Sequence, residues 1–312
     1  MNLRDLRYFV AVAESGSILS ASEKLHVAQP SLSVRIKTLE TDLGVSLFDR
    51  RPRGVLLTAE GEELLAHARH ILQAAEAAQE ALRHHAQSPV GTVHFGVPTS
   101  LASVLCVPLI EAVQAELPNV RLRIVETMSG TIVEWLRSGQ LDLGLTFTES
   151  AIPGVHSEAL LTEGLHLAAA SEAELAPLLD AKGDVPLDAL ARVPLILPTD
   201  RHGLRQLIDQ HLRRSGLSTN VVIEIDAFLQ IQKLVQRQRG MTILSLAALY
   251  ESDLDPPLAT ARIVSPQIER TVYLARGDMR ALTKAAREVG RLASGLLREE
   301  AGRKWWRARP AG

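Results

Sequence analysis

The sequence predicts two fold classes in one chain: an N-terminal all-α winged helix-turn-helix with a long linker helix, then a larger C-terminal α/β domain. Three observations predict this. Apolar residues recur at helical spacing from Leu3 to Leu43 and again from Thr58 to Gln87. The stretch Ser88-Pro89-Val90-Gly91 then reads as a hinge by composition. Beyond it strand-like and helix-like segments alternate, which points to a mainly parallel sheet wrapped by helices. At 312 residues the chain has room for two or three domains.

Leu3 to Ser15 reads as a first helix, with Leu6, Phe9, Val10 and Ala13 on its apolar face. Ser17 is a suitable N-cap for a second, short helix whose Ile18, Ala21, Ser22 and Leu25 share a face. Only His26-Val27-Ala28 separates it from a third. There Leu32, Ile36, Leu39 and Leu43 fall four, three and four residues apart, the spacing of one buried stripe. Pro30 suits a first helical turn, where no N–H partner is needed. Gln29, Ser31, Ser33, Val34, Arg35 and Lys37 lie off the stripe. Two helices joined by so short a turn, the second with a polar outer face, describe a helix-turn-helix. Gly44 to Thr58 then reads as a turn, a short strand, a basic loop and a return strand, which together form a wing. From Lys24 to Arg53, six basic residues (Lys24, Arg35, Lys37, Arg50, Arg51, Arg53) stand against three acidic ones (Glu40, Asp42, Asp49), a local charge of +3 in a chain of net charge −2. Local positive charge on the suspected reading head is the footprint of phosphate binding.

These residues carry a close resemblance. Leu6-x-x-Phe9, Glu14-x-Gly16-Ser17, Ala21, Leu25 to Pro30, Ser33, Ile36, Leu39-Glu40, Leu43-Gly44-Val45, Leu47-Phe48-x-Arg50 and Leu57-Thr58-x-x-Gly61 resemble the signature of LysR-type transcriptional regulators, without a gap. The pattern departs at Leu19-Ser20 and Ser22, and at Val34, where the family often has Arg or Gln. On this reading Gln29, Pro30, Ser31, Ser33, Val34 and Arg35 face base edges, Gln29 suited to adenine and Val34 to a thymine methyl. Lys37, Arg50, Arg51 and Arg53 bind phosphates and set register.

Thr58 to Gln87 reads as one long helix. Leu64, Ala68, Ile71, Ala75, Ala78 and Leu82 form a heptad seam. A dimerising coiled coil is expected, because two-fold operators need paired heads; the alternative is a single amphipathic helix lying on its own domain. His67 and His70, one turn apart, are expected to be solvent-facing polar residues rather than a metal pair.

In the second half, strands are expected at 92–97, 120–125, 141–147, 164–170, 193–197, 221–225, 241–244 and 267–275, and helices at 101–117, 130–138, 204–215, 228–236 and 280–298. The resemblance implies that the last strand and helix return to the first subdomain. That gives a two-lobed, periplasmic-binding-protein-like effector domain. The expected organisation is a head at 1–58, a linker and dimerisation helix at 59–88, an effector domain at 89–300 and a basic tail at 301–312. Lobe I takes about 89–162 and 265–300, and lobe II about 163–264. The tail, Arg303-Lys304-Trp305-Trp306-Arg307-Ala308-Arg309, is expected to be disordered or loosely docked. Leu141 to Leu145, Pro194 to Pro198 with His202 to Arg205, and Glu224 to Ala227 are similar to the nitrogen-assimilation-control subgroup.

Ligands of open parallel sheets bind beyond the carboxyl ends of the strands. Those ends carry Pro98-Thr99-Ser100, Thr148, Pro198 to Gly203 and Asp226-Ala227-Phe228. Hydroxyls and free N–H groups at helix N-termini favour a small polar or anionic molecule. The resemblance implies inducer contacts at Thr99, Ser100, Thr148 and Thr199; His202 and Phe228 complete the candidate set. For each Ser and Thr the alternative is a plain N-cap.

Composition bounds the remainder. Hydrophobic residues make up 46% and charged residues 22%, as in a soluble globular protein, and the 4% of aromatics leave the cores to Leu, Val, Ile and Ala. A single cysteine, Cys106, excludes an internal disulfide and a multi-cysteine metal site, and its apolar neighbours point to a buried small hydrophobe. Arg4, Asp5 and Arg7 interrupt any signal-peptide core. Pro98 and Pro108 break the longest uncharged stretch, so no membrane span is expected and the cytoplasm is the expected location. No Gly-rich phosphate loop, Gly-x-Ser-x-Gly elbow or metal-spaced His set is present, so no catalytic residue, metal or cofactor is expected. The reading is a homo-oligomeric transcription regulator, dimer or tetramer. It takes operator DNA and a small effector, with RNA polymerase a further candidate partner. The alternative is a two-lobed small-molecule binding protein whose head is secondary.

Overall fold

The computed structural model describes residues 1–51, 54–83, 89–147, 153–250, 254–278, 281–303, 305–306 and 308–311. The chain divides into two compact units. One is Met1–Ser88 with the short segments Arg137–Gln140 and Gly277–Thr283. The other is Pro89–Leu136, Leu141–Arg276 and Lys284–Gly312.

The first unit begins with α1 (Leu3–Ser15). Asn2 caps it by accepting the N–H groups of Arg4 and Asp5, while the Asp5 carboxylate takes the Asn2 N–H in return. Next come α2 (Ile18–Leu25), capped by Ser17, and α3 (Gln29–Leu43). The wing is the antiparallel pair β1 (Phe48–Arg51) and β2 (Gly54–Leu57), followed by α4 (Ala59–Arg83). Leu6, Phe9 and Val12 of α1 meet Ala21, then Leu32, Ile36 and Leu39 of α3, then Leu47, Phe48 and Val55 of the wing in one buried core. Leu43 departs from the expected stripe. It is the last residue of α3, just before the Gly44 cap, and stands 38% exposed.

The wing is seated on the first helix. Gly54 has φ 138°, and a Cβ there would collide with the Gly16 carbonyl oxygen. The next residue, Val55, donates its N–H to that same oxygen at 2.9 Å. On the other side Glu40 of α3 accepts the N–H groups of Leu47 and Phe48 at 2.8 and 3.2 Å.

Helix α4 corrects part of the expected dimer seam. Ala68 is fully buried in the head's own core, and Leu64, Leu65 and Leu72 pack against that core. The stripe through Leu65, Ala68 and Leu72 therefore serves the head. Ile71, on the neighbouring stripe, is 40% exposed and Ala75 is half-buried. The side chains of Ala78 and Leu82 lie outside the described residues.

The second unit runs β3 (Gly91–Pro98), α5 (Thr99–Glu116), β4 (Val120–Thr127), α6 (Ser129–Arg137), β5 (Leu143–Thr146), β6 (Val155–Ala169), α7 (Glu172–Leu175), β7 (Val185–Pro186), β8 (Leu195–Leu197), α8 (Gly203–Arg214), β9 (Val221–Glu224), α9 (Phe228–Gln236), β10 (Thr242–Ser245), β11 (Ala259–Val264), β12 (Glu269–Gly277), α10 (Lys284–Ala301) and β13 (Arg309–Pro310). One sheet has the order β4-β3-β5-β12-β6-β11-β7, with β10 and β13 also on β6, while β8 and β9 form a separate parallel pair. The expected mainly parallel sheet is in fact mixed. Strands β3, β4 and β5 are parallel, but β12 returns antiparallel to β5, and β10, β11 and β13 lie antiparallel to β6.

The 15-residue β6 makes the two-lobed fold continuous. At Leu161 and Thr162 it pairs with β13, and from Leu165 to Ala169 it pairs with β10 and β11. One buried cluster gathers Ile132, Val133, Leu136, Leu141, Val155 and Ala275. Another gathers Leu165, Leu167, Leu195, Leu197, Ile208, Ile243 and Ile263. Helix α5 has the length and mean hydropathy of a membrane span, but Leu101, Val104, Leu105, Leu109 and Val113 are buried within this unit. Cys106, on the same helix, is half-buried rather than fully buried.

The basic tail is docked, contrary to expectation. Trp306 is 1% exposed, Trp305 stacks on Tyr250 at 4.3 Å between ring centroids, and β13 pairs with β6. Its charge predicted solvation, but the two indoles carry enough apolar area to outweigh that.

Candidate nucleic-acid interface and lobe junction

Helix α3 turns its apolar stripe inward and leaves Gln29, Pro30, Ser31, Val34, Arg35 and Lys37 exposed, with Ser33 half-buried. Val34 stands out at 63% exposure. A bare Val amid polar neighbours suits an apolar contact such as a thymine methyl. The N-cap residue Ala28 supplies no side-chain acceptor, so the N–H groups of the first turn are free for an anion. Arg35 reaches Asp5 at 3.7 Å, which turns it toward α1. There a groove of about 380 Å³ is lined by Arg4, Tyr8, Val27, Ala28, Ser31, Leu32 and Arg35. Arg51 is exposed on the wing; Arg53 and the side chain of Arg50 lie outside the described residues. Glu40, part of the signature above but given no role there, positions the wing. A polar residue facing inward beside Leu39 was the available signal.

In the second unit the strand ends converge at the junction of the lobes. Ser100, in the first turn of α5, accepts a hydrogen bond from Arg270 Nη2 at 3.0 Å, and Thr99 beside it is half-buried. Thr199 donates both its N–H and its hydroxyl to the Asp226 carboxylate at 2.9 and 3.0 Å, tying the loop after β8 to the loop after β9. His202 caps α8, its Nδ1 accepting the Leu204 N–H at 3.1 Å. Its pKa is lowered by burial; Asp226 pulls it back up, and the nearby positive charge of Arg270 pushes it down. Ser100 and His202 are thus brought into the neighbourhood of one guanidinium, and Asp226 joins Thr199 to the same loop cluster. Phe228, partly buried at the start of α9, packs against the apolar cluster of its own lobe. Thr148 lies outside the described residues.

Arg270 and Glu163 were missed by sequence reasoning. Arg270 Nε donates to Glu163 Oε1 at 2.7 Å and its Nη2 to Ser245 Oγ at 3.0 Å. The guanidinium carbon lies 3.6 Å from the centroid of the Phe147 ring. Charged residues set among apolar strand residues, in Leu160-Leu161-Thr162-Glu163 and Ile268-Glu269-Arg270-Thr271-Val272, were the signal that could have found them. No group of three or more metal-ligating side chains occurs among the described residues.

A winged helix-turn-helix with an exposed reading face, carried on one chain with a two-lobed α/β domain, defines a DNA-binding transcriptional regulator with an effector-binding domain. Residues 3–62 match the bacterial regulatory helix-turn-helix protein of the lysR family, and residues 86–296 match the LysR substrate binding domain. The chain belongs to the LysR family of regulators. It is 33% identical over 294 residues to the nitrogen assimilation regulatory protein nac of Klebsiella aerogenes, covering 93% of this chain and 94% of that one. It is 30% identical to the dual regulator GltC of Bacillus subtilis over 92% of this chain and 95% of the relative. Among solved structures, a cysteine variant of full-length OxyR from Pseudomonas aeruginosa superposes with a TM-score of 0.80 at 24% identity, covering 100% of this chain and 98% of that one. Full-length CbnR, solved with its target DNA, gives a TM-score of 0.65 at 23% identity over 96% and 100% of the two chains.

Proposed function

We propose that the protein is a cytoplasmic homo-oligomeric regulator. Its α3 reads operator DNA in the major groove, and its α/β domain takes a small polar effector at the lobe junction. The observation that carries this is the exposed face of α3: Val34 at 63% exposure, between polar and basic neighbours, on a helix whose other face is fully buried. Gln29, Ser31, Ser33 and Val34 address base edges. Lys37, Arg51 and, from the turn toward α1, Arg35 address phosphates. The lysR-family match over residues 3–62 supports this use of the head, and CbnR, which shares the fold, was solved with its own target DNA. Pairing of heads through α4 is supported by Ile71, an apolar side chain left 40% exposed on that helix. RNA polymerase is a further candidate partner, and no catalytic role is assigned.

The effector reading rests on Ser100, which accepts a hydrogen bond from Arg270 in the first turn of α5, and on His202, which caps α8 and feels the Arg270 charge. Cys106 is not part of it. Burial and the nearby Glu126 push its thiol up to about 11, which leaves it a poor nucleophile at neutral pH.

The test is an anisotropy titration of the full-length protein. DNA from immediately upstream of its coding region is compared with a random duplex at two salt concentrations. Tight, salt-dependent binding that prefers the upstream fragment is expected. Equal, weak binding to both duplexes overturns the reading.

A further inference from the structure

We propose that Glu163 is a built-in counter-ion that occupies the anion-binding edge of Arg270, that the C-terminal segment holds it there through Trp306, and that the lobe junction is thereby closed to carboxylate ligands. The proposal deepens the effector reading above and rests on it for the location of the site.

The pair is deeply buried: the Arg270 side chain is 6% exposed and that of Glu163 is 1%. Each carboxylate oxygen has its own donor. Oε1 takes Arg270 Nε at 2.7 Å, and Oε2 takes the indole N–H of Trp306 at 2.7 Å. The remaining Arg270 contacts come from three further elements: Ser100 at the start of α5, Ser245 at the end of β10, and the Phe147 ring after β5. A buried ion pair persists only when its other lone pairs and protons are also satisfied, and here Trp306 completes the Glu163 side.

The segment that brings Trp306 is stitched to the residues next to the pair. Arg309 and Pro310 pair with Thr162 and Leu161, just before Glu163. Arg309 Nη2 donates to Glu269 Oε2 at 2.7 Å, just before Arg270. Ala311 donates its N–H to the Leu160 carbonyl at 3.2 Å. Trp305 stacks on Trp306 at 5.6 Å and on Tyr250 beyond the turn after β10. Docking of the tail and placement of the Glu163 carboxylate are therefore one event.

The chemical consequence is selectivity. A ligand carboxylate reaching Arg270 must displace Glu163 and leave that carboxylate buried without its cation, at a large desolvation cost. An uncharged polar ligand carries no such penalty. Glu163 is thus a specificity-determining residue, and Trp306 a positioning residue that acts through it.

The test is anion rescue in the full-length protein, with sodium acetate as the probe and sodium chloride at equal ionic strength as its control. For Glu163→Ala the thermal midpoint falls by roughly 10 °C. Acetate raises it in a saturable way while chloride does not, and wild type responds alike to both salts. Trp306→Phe keeps the carboxylate but removes its second donor. It is expected to show a smaller acetate-specific shift and faster tryptic cleavage at Arg303. An acetate-specific shift in wild type equal to that of the variant overturns the closed junction. No acetate-specific shift in Glu163→Ala overturns Arg270 as an anion site. Should Glu163→Ala not fold, Trp306→Phe carries the test, and a response identical to wild type overturns the tail's role. These readouts do not involve DNA, so loss of operator preference in the titration above sinks the regulator reading and leaves this result standing.

Discussion

The reading face of α3 and the lobe junction are built on opposite plans. On α3 the charged and polar groups stand in solvent, and the first-turn N–H groups carry no side-chain cap. At the junction a guanidinium is buried with four partners from different elements. An open surface binds a large polyanion because little must be undone first, and the released counterions supply the driving force. A buried, satisfied network binds only what leaves its pairs intact. The head places its stabilising core beneath its functional face, and the α/β unit places it within that face.

Two substitutions two residues apart on one helix separate the buried side of α3 from its open side. Leu32 is fully buried under α3, and Leu32→Ala is expected to destabilise the head by about 2–5 kcal/mol. Val34→Ala is expected to change stability by less than about 0.5 kcal/mol while weakening binding to the preferred DNA. Hydrogen exchange of the amides of α1 to α3 in urea reads the first effect, and anisotropy the second. Equal destabilisation by both would mean that α3 has no free face.

The same contrast decided what was legible beforehand. The head is local: α1 spans Leu3–Ser15 as expected, because capping residues and apolar spacing lie within one short stretch. Helix α9 at Phe228–Gln236 was legible for the same reason. Strand β11 (Ala259–Val264) and the first half of β6 were not read. Val155 to Leu165 contains His, Ser, Glu, Thr and Gly, and becomes a strand through partners distant in sequence. The junction was the least legible part. Glu163 and Arg270 are 107 residues apart, and Trp306 is 143 from Glu163. No spacing rule joins them, so the tail's basic composition hid its two anchoring indoles.

Two smaller effects separate base reading from phosphate holding on the open face. Gln29→Ala is expected to lose about 1–3 kcal/mol of discrimination at one base pair, with random DNA bound as before. Arg51→Ala is expected to weaken all duplexes alike and to reduce the slope of log affinity against log salt by about 1. A titration series at four salt concentrations with matched and mismatched duplexes measures both. If Gln29→Ala weakened matched and random DNA equally, its place on the reading face would have to be given up.

At the junction, His202 gives a pH-dependent contribution to stability. His202 has its pKa lowered from 6.5, first by burial, with the Arg270 charge adding to the shift and the Asp226 carboxylate opposing it. Well above pH 6.5 the imidazole is neutral in both folded and unfolded chains and costs nothing. As pH falls through that value the unfolded chain takes up a proton that the folded chain refuses, so stability declines until the lower folded pKa is passed. Protonation of Nδ1 would also remove the acceptor that caps α8. His202→Asn keeps a capping oxygen without a titrating group. Thermal midpoints measured between about pH 7.5 and pH 5 should therefore fall further for wild type than for this variant. Parallel pH profiles for the two proteins would show that His202 is solvated in the folded state, and that the junction is more open than its hydrogen bonds imply.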